Sequence, residues 1–341
     1  LRLYSKLKSG IVIISLLFIP YILHAGDYGA SFLNIGVGPR GIAMANAFCS
    51  ITDDAYSFFW NPAGYAMMNN RQISGMYGPQ FGTISNPLAN FNTVSIALPL
   101  KNKATIAFNW VRLAIDDIPV YGTLSGNSYY ERLHDLSLRP TGEQEGAISD
   151  QEDALILSFA KLNSLKFNIG WLYNKFVVDV PFGVNFKWVH QSLGMHSASG
   201  FSMDAGFQVK INIAENFDTP ALGMFSFGMF FRNVSGLTIS WDTNHRDVVG
   251  ASLVWGISQS LPVFSDKNIL RISYDNDNQW GAEKSVGIEF SRKNVFALRA
   301  GFNKNGFTTG TGFSLWELTF DYAFISHQLN NLHRVGCKLN F

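Results

Sequence analysis

Three glycines, Gly36, Gly38 and Gly41, spell G-x-G-x-x-G. In a nucleotide-binding enzyme that spacing lets backbone amides at a helix start cradle a phosphate. It does so only inside a strand–helix–strand unit, with an acid about 20 residues further on. Here Asp53 and Asp54 come too early, and no alternation of helices and parallel strands follows. Nucleotide binding is therefore not expected. The Asp53–Asp54 pair suits the cap of a short helix at "AYSFF", with metal binding as the weaker alternative. The histidines are scattered, without H-E-x-x-H spacing, and there is no G-x-S-x-G elbow. Cys49 and Cys337 fit neither a metal site nor a disulfide framework. No catalytic, cofactor-binding or metal-ligating residue is assigned, and no enzyme is expected.

The elements that surround these residues explain more. The chain has 341 residues, of which 47 % are hydrophobic and only 15 % charged, with 29 Phe. After the N-terminus no apolar run approaches the roughly 20 residues of a membrane helix. The apolarity is dispersed, which suits strands. A net charge of +1 gives no electrostatic basis for nucleic-acid binding.

The period is two from about residue 71 onward. In "FSMDAGFQVKINI", Phe201, Met203, Phe207, Val209 and Ile211 share one face, against Asp204, Gln208 and Lys210 on the other. "KSVGIEFS", "NVFALRAGF" and "ELTFDYAFI" repeat the pattern. The polar face carries Asp204, Lys210, Glu289, Arg299 and Asp321 at mid-strand. A sandwich or a closed soluble barrel would bury the aromatic face. An outer-membrane barrel turns Phe rows toward lipid and polar residues toward the lumen, and this all-β fold is expected. The lumen charges then include Asp204, Asp275, Glu289, Glu317 and Asp321, against Lys187, Lys210, Arg271, Arg299, Arg334 and Lys338. Their signs balance, so cross-strand pairs in a filled interior are expected rather than a pore of one sign.

The N-terminal stretch 1–25 reads as a secretory signal: Arg2, Lys6 and Lys8, an apolar core from Ile11 to Leu23, then Ala25. A membrane anchor is the alternative. At the other end "HRVGCKLNF" alternates into Phe341, which looks like the signal read by the barrel assembly machinery. Fifteen segments alternate with the period of a strand. An even count is required, so 153–177 is read as one bulged strand or as a pair with one half outside the barrel, giving about fourteen strands. The long polar connection Leu113–Glu152 faces outside, for partner contact or without order. Residues 26–70 are Gly- and Ala-rich, contain a helix-like "GIAMANAF", and suit a plug in the lumen.

The stretch "GPRGIAMANAFCSITDDAYSFFWNPAG" resembles the N-terminal hatch signature of PorV/PorQ-type proteins, relatives of the FadL long-chain fatty acid transporters. The matching positions are Gly41, Asp53, Asp54, Ala55, Trp60, Asn61, Pro62, Ala63 and Gly64. "FALRAGF", "TGTGFSLWELTFDYAF" and "HRVGCKLNF" resemble the closing strands, including Asp321, Tyr322, His333 and Arg334. The resemblance implies a fourteen-stranded barrel in the bacterial outer membrane, in contact with its lipid. It also implies a hatch over 26–70 and a barrel over 71–341. By function it implies a type IX secretion accessory that shuttles secreted proteins or binds a translocon. The alternative is passive transport of hydrophobic small molecules such as long-chain fatty acids and aromatic hydrocarbons.

Overall fold

The computed structural model describes residues 29–82, 86–122, 125–126, 128–138, 143–168, 175–279, 282–293, 295–327 and 331–341. The expected signal segment, 1–25, lies outside the described residues. The first half of the wall is β1 (Gln72–Gly82), β2 (Pro87–Pro99), β3 (Ala104–Tyr121), β4 (Gln144–Asn168), β5 (Lys175–Leu193), β6 (His196–Asn212) and β7 (Met224–Arg232). Two short strands follow, β8 (Leu237–Trp241) and β9 (Arg246–Val249). The second half is β10 (Ser252–Val263), β11 (Ser265–Asp277), β12 (Glu283–Arg292), β13 (Phe296–Asn303), β14 (Gly306–Leu315), β15 (Leu318–Ile325) and β16 (Leu332–Asn340).

Antiparallel pairing runs β5–β4–β3–β2–β1–β16–β15–β14–β13–β12–β11–β10–β7–β6, and β6 pairs back onto β5. Fourteen strands thus close a barrel, which removes the free edges of an open sheet. Alternation is inverted relative to a soluble protein. On β13, Phe296, Leu298, Ala300 and Phe302 are exposed, while Ala297, Arg299, Gly301 and Asn303 are buried. On β6, Phe201 is 73 % exposed and Asp204 only 3 %. Such an outer wall is stable against lipid, not against water. No helix among the described residues is long and apolar enough to cross a membrane.

Three expectations need correction. The stretch 153–177 is not one strand: its first part finishes β4, a single strand of 25 residues ending at Asn168, and β5 opens at Lys175. The connection expected over Leu113–Glu152 begins and ends as strand: β3 and β4 stay paired up to Tyr121 and Gln144 despite two irregularities in register. Glu317 lies in the exposed Trp316–Glu317 turn rather than facing the lumen. That turn, like the one at Lys293, is at the end of the barrel where the chain terminates (the terminal end): Asn340 N–H donates to Glu317 O. The opposite, far end carries the β3–β4 connection.

Most of residues 29–70 are buried, packed against the inward-facing side of the wall. Inward-facing glycines let their backbone approach the wall. A Cβ on Gly228 would lie 2.7 Å from Cys49 O, and one on Gly287 2.7 Å from Met44 O. The helix expected over "GIAMANAF" is short, Pro39–Ala43, because Ala45 and Asn46 turn to positive φ, 54° and 72°.

Candidate functional site

The glycine motif is filled by the protein's own side chains. Gly38 (φ 79°) opens the short helix, and a Cβ there would lie 2.6 Å from the Tyr56 ring. A Cβ on Gly41 would meet the Trp60 indole at 2.6 Å. Trp60 Nε1–H donates to Val37 O at 2.8 Å, closing the segment on itself. Asn61 joins the segment to the wall: its amide nitrogen reaches Phe207 O at 3.1 Å and Met229 O at 3.2 Å, and its Oδ1 accepts from Ala63 N. Pro62 lies over Gly183, and Gly64 allows close approach to Thr52 O, 2.5 Å from an added Cβ. Phe48 and Cys49 donate their backbone N–H groups to Asp275 Oδ2 at 2.8 and 2.7 Å. Burial and Asp275 push the Cys49 thiol up, so it stays protonated and unreactive. Both cysteines are free.

Asp53 and Asp54 do not cap the following helix, Ser57–Trp60, which has no side-chain cap. Asp54 Oδ1 accepts from Tyr56 N at 3.0 Å, one residue short of that helix. Among the described residues no group of three or more His, Cys, Asp or Glu side chains is placed to hold a metal. The pair instead joins an ion network. Asp53 meets Arg40, and Asp54 meets Lys338 Nζ at 3.3 Å. Arg40 also reaches Glu289 on β12 at 2.8 Å. Cross-strand register places Arg271, Glu289 and Arg299 side by side on β11, β12 and β13. Arg271 and Arg299 each meet Glu289 at 2.7 Å. Arg299 meets Asp321 at 2.7 Å, and Asp321 meets Lys338 at 2.8 Å. The network borders a cavity of about 290 Å³ at the terminal end. Burial opposes charge on Asp53, but Arg40, with Arg271 and Lys210, outweighs it and holds the carboxyl below the usual range. Lys210 and Arg334, both lumen-facing, form no ion pair among the described residues. Phe341 is exposed, and its N–H donates to Arg71 O.

The wall is interrupted at one place that sequence reading missed. β7 pairs with the second half of β6, and β8 pairs with the first half, three residues out of register. Between them Asn233–Gly236 bulge, with Asn233 and Gly236 at φ 50° and 71°. Opposite the bulge, Ser202, Met203 and Asp204 lack ladder partners on this side, apart from Val234 N–H donating to Met203 O. A buried polar cluster spans the interruption. Lys187 Nζ lies 2.7 Å from Asp204 and 2.6 Å from Asn233 Oδ1, and Asn233 N–H donates to Asp204 Oδ1 at 2.8 Å. Outside it lies an apolar depression of about 590 Å³ bordered by Phe108, Leu155, Phe186, Phe201 and Met203, with Ser235 at its rim. Inside it a cavity of about 30 Å³ is lined by Leu33, Phe58, Phe59 and Phe230 and by the charged Asp204 and Arg232. Ile156 and Lys187 border both spaces. The sequence signal was present: "NVSG" is a turn-type cluster between two alternating runs.

No family model matches the sequence, and no curated protein matches it. Among solved structures, the Ralstonia pickettii toluene transporter TbuX aligns at 13 % identity and TM-score 0.49, over 90 % of this chain and 98 % of that one. The CymD monoaromatic hydrocarbon channel aligns at 13 % identity and TM-score 0.48, over 90 % and 98 %. A Pseudomonas aeruginosa FadL homologue aligns at 12 % identity and TM-score 0.45, over 89 % and 98 %.

Proposed function

We propose that this chain is a bacterial outer-membrane barrel that passes hydrophobic small molecules through its side wall, with residues 26–70 as a hatch closing the lumen. One observation carries the reading: the bulge at Asn233–Gly236 lies between an apolar depression on the outer wall and a small cavity of mixed aromatic and charged lining on the inner wall. An apolar molecule crossing the wall there enters the bilayer past the Lys187–Asp204 pair, without meeting the polar network at the terminal end. Long-chain fatty acids and aromatic hydrocarbons fit that chemistry, and no catalytic step is needed. The test is uptake of radiolabelled toluene and of a long-chain fatty acid by cells expressing the protein. The account expects faster uptake of at least one than in cells carrying an unrelated barrel; equal rates for both contradict it.

A second reading has its own observation. The extensions of β3 and β4, with the short helix Tyr129–His134, project at the far end and expose Tyr129, Tyr130 and Leu136. Such a projection suits docking of a protein partner, as in the type IX secretion role the resemblance implies. Deleting 122–143 separates the two: loss of surface-protein export with uptake intact supports docking, and unchanged export removes it.

A further inference from the structure

We infer that the cavity beside Arg334, at the far end of the lumen, is a binding site for a small oxyanion. Arg334 is on β16 and only 1 % exposed. Arg40, Arg271 and Arg299 each meet a carboxylate at 2.8 Å or closer. Arg334 meets none among the described residues. Its Nη1 donates to two neutral carbonyls, Pro79 O at 2.9 Å and His333 O at 3.0 Å. Its Nε is buried without a hydrogen-bond partner. A guanidinium held out of water on neutral acceptors alone is costly, and a bound anion completes it.

The surroundings are built to hold that guanidinium in place. It lies across Gly78 of β1, where an added Cβ would be 2.7 Å from Arg334 Cδ and 2.8 Å from Nε. The adjoining cavity measures about 110 Å³ and is bordered by Asn46, Asn303, Asn305, Thr308 and His327, with no carboxylate on its border among the described residues. At a liquid volume of roughly 30 Å³ per water, it has room for a carboxylate- or phosphate-sized group and little more. Asn46 and Asn305 are exposed at its rim, so the cavity is reached from the far end. The fork of Arg suits planar, two-point recognition of an oxyanion. The site does not depend on hydrophobic transport: it stands or falls on its own contacts.

The oxyanion has two sources, a free small anion or the headgroup of an amphiphile. Calorimetric titration of the full-length protein in a non-ionic maltoside, at low chloride, separates them with acetate, inorganic phosphate, decanoate and decanol. Wild type is expected to bind an oxyanion at one site, and Arg334→Met to weaken that binding at least tenfold. Arg334→Lys keeps the charge without the fork and is expected to fall between. Decanoate binding tighter than acetate, with decanol failing to compete, assigns the site to a headgroup. Equal binding of acetate and decanoate assigns it to a free anion. Should Arg334→Met fail to assemble, Gly78→Ala, which keeps the charge but crowds the guanidinium, is expected to show the same loss. No oxyanion binding by wild type, or unchanged affinity in an assembled variant, overturns the inference.

Discussion

Arg40 and Glu289 hold the N-terminal segment to the wall through a two-point ion pair: Nε donates to Oε2 at 2.8 Å and Nη2 to Oε1 at 3.0 Å. The same carboxylate takes Arg271 and Arg299. Glu289→Ala therefore leaves three buried or half-buried guanidinium groups without it. Breaking a buried pair from one side costs about 3–5 kcal/mol. The expected outcome is a lower urea midpoint for the refolded barrel and earlier proteolytic cutting within 29–70. An unchanged midpoint would show that the network is not what anchors the segment.

The Arg40–Asp53 pair makes the anchor acid-sensitive. The Asp53 carboxyl is held below its ordinary value of 3.8, so its contribution is complete above that pH and is lost as pH falls through the depressed value. Between pH 5 and 8 Asp53 adds no slope. Single-channel conductance in planar bilayers, stepped from pH 5 to pH 3, is expected to rise as the segment loosens. In Asp53→Asn the segment is already loosened at pH 5 and the acid step shrinks.

Gly228 marks where wall and segment touch without a side chain between them. Gly228→Val places its Cβ 2.7 Å from Cys49 O and 2.9 Å from Ser50 Cα. Overpacking of this kind costs about 1–3 kcal/mol. The barrel is expected to assemble, as shown by its heat-dependent mobility on gels, with a higher leak to small ions. A variant as tight as wild type would mean the segment does not fill the lumen at that level.

On the outer wall the sign of the effect reverses. Leu298, 48 % exposed, is read as lipid-facing. Leu298→Arg is expected to destabilise the barrel in phospholipid vesicles by about 2–4 kcal/mol if the residue lies at the bilayer midplane. The same substitution is expected to be nearly silent in a soluble protein. Urea titration in vesicles distinguishes the two.

Phe201, Phe302 and Asp204 could be placed from the sequence because each strand carries its own period of two. The interior ion pairs were legible as balanced signs, but not as partners. Arg271, Glu289 and Arg299 meet only through cross-strand register, which no single strand encodes. The same reason hid the Asn233–Gly236 bulge: it is a mismatch between β6 and its two partners. The extent of β3 and β4 beyond Leu113 and before Glu152 was masked because both of their faces there are polar or exposed. The helix expected through Phe48 failed at Ala45 and Asn46, where packing against Gly287 and Gly301 overrides a helix-favouring composition. Asp53 and Asp54, typical capping residues, were drawn into salt bridges by Arg40 and Lys338.

The side-wall path is the central claim, and a reversible lock across the bulge tests it most directly. Ser202 Oγ lies 3.2 Å from Asn233 Oδ1 across the interruption. With Cys337→Ser removing the outer-wall thiol, Ser202→Cys and Asn233→Cys can be joined by mild oxidation and released by reductant. The account predicts that oxidation suppresses uptake of the hydrophobic probe several-fold and that reduction restores it. Uptake that is indifferent to the lock, with the disulfide confirmed by mass, would contradict it.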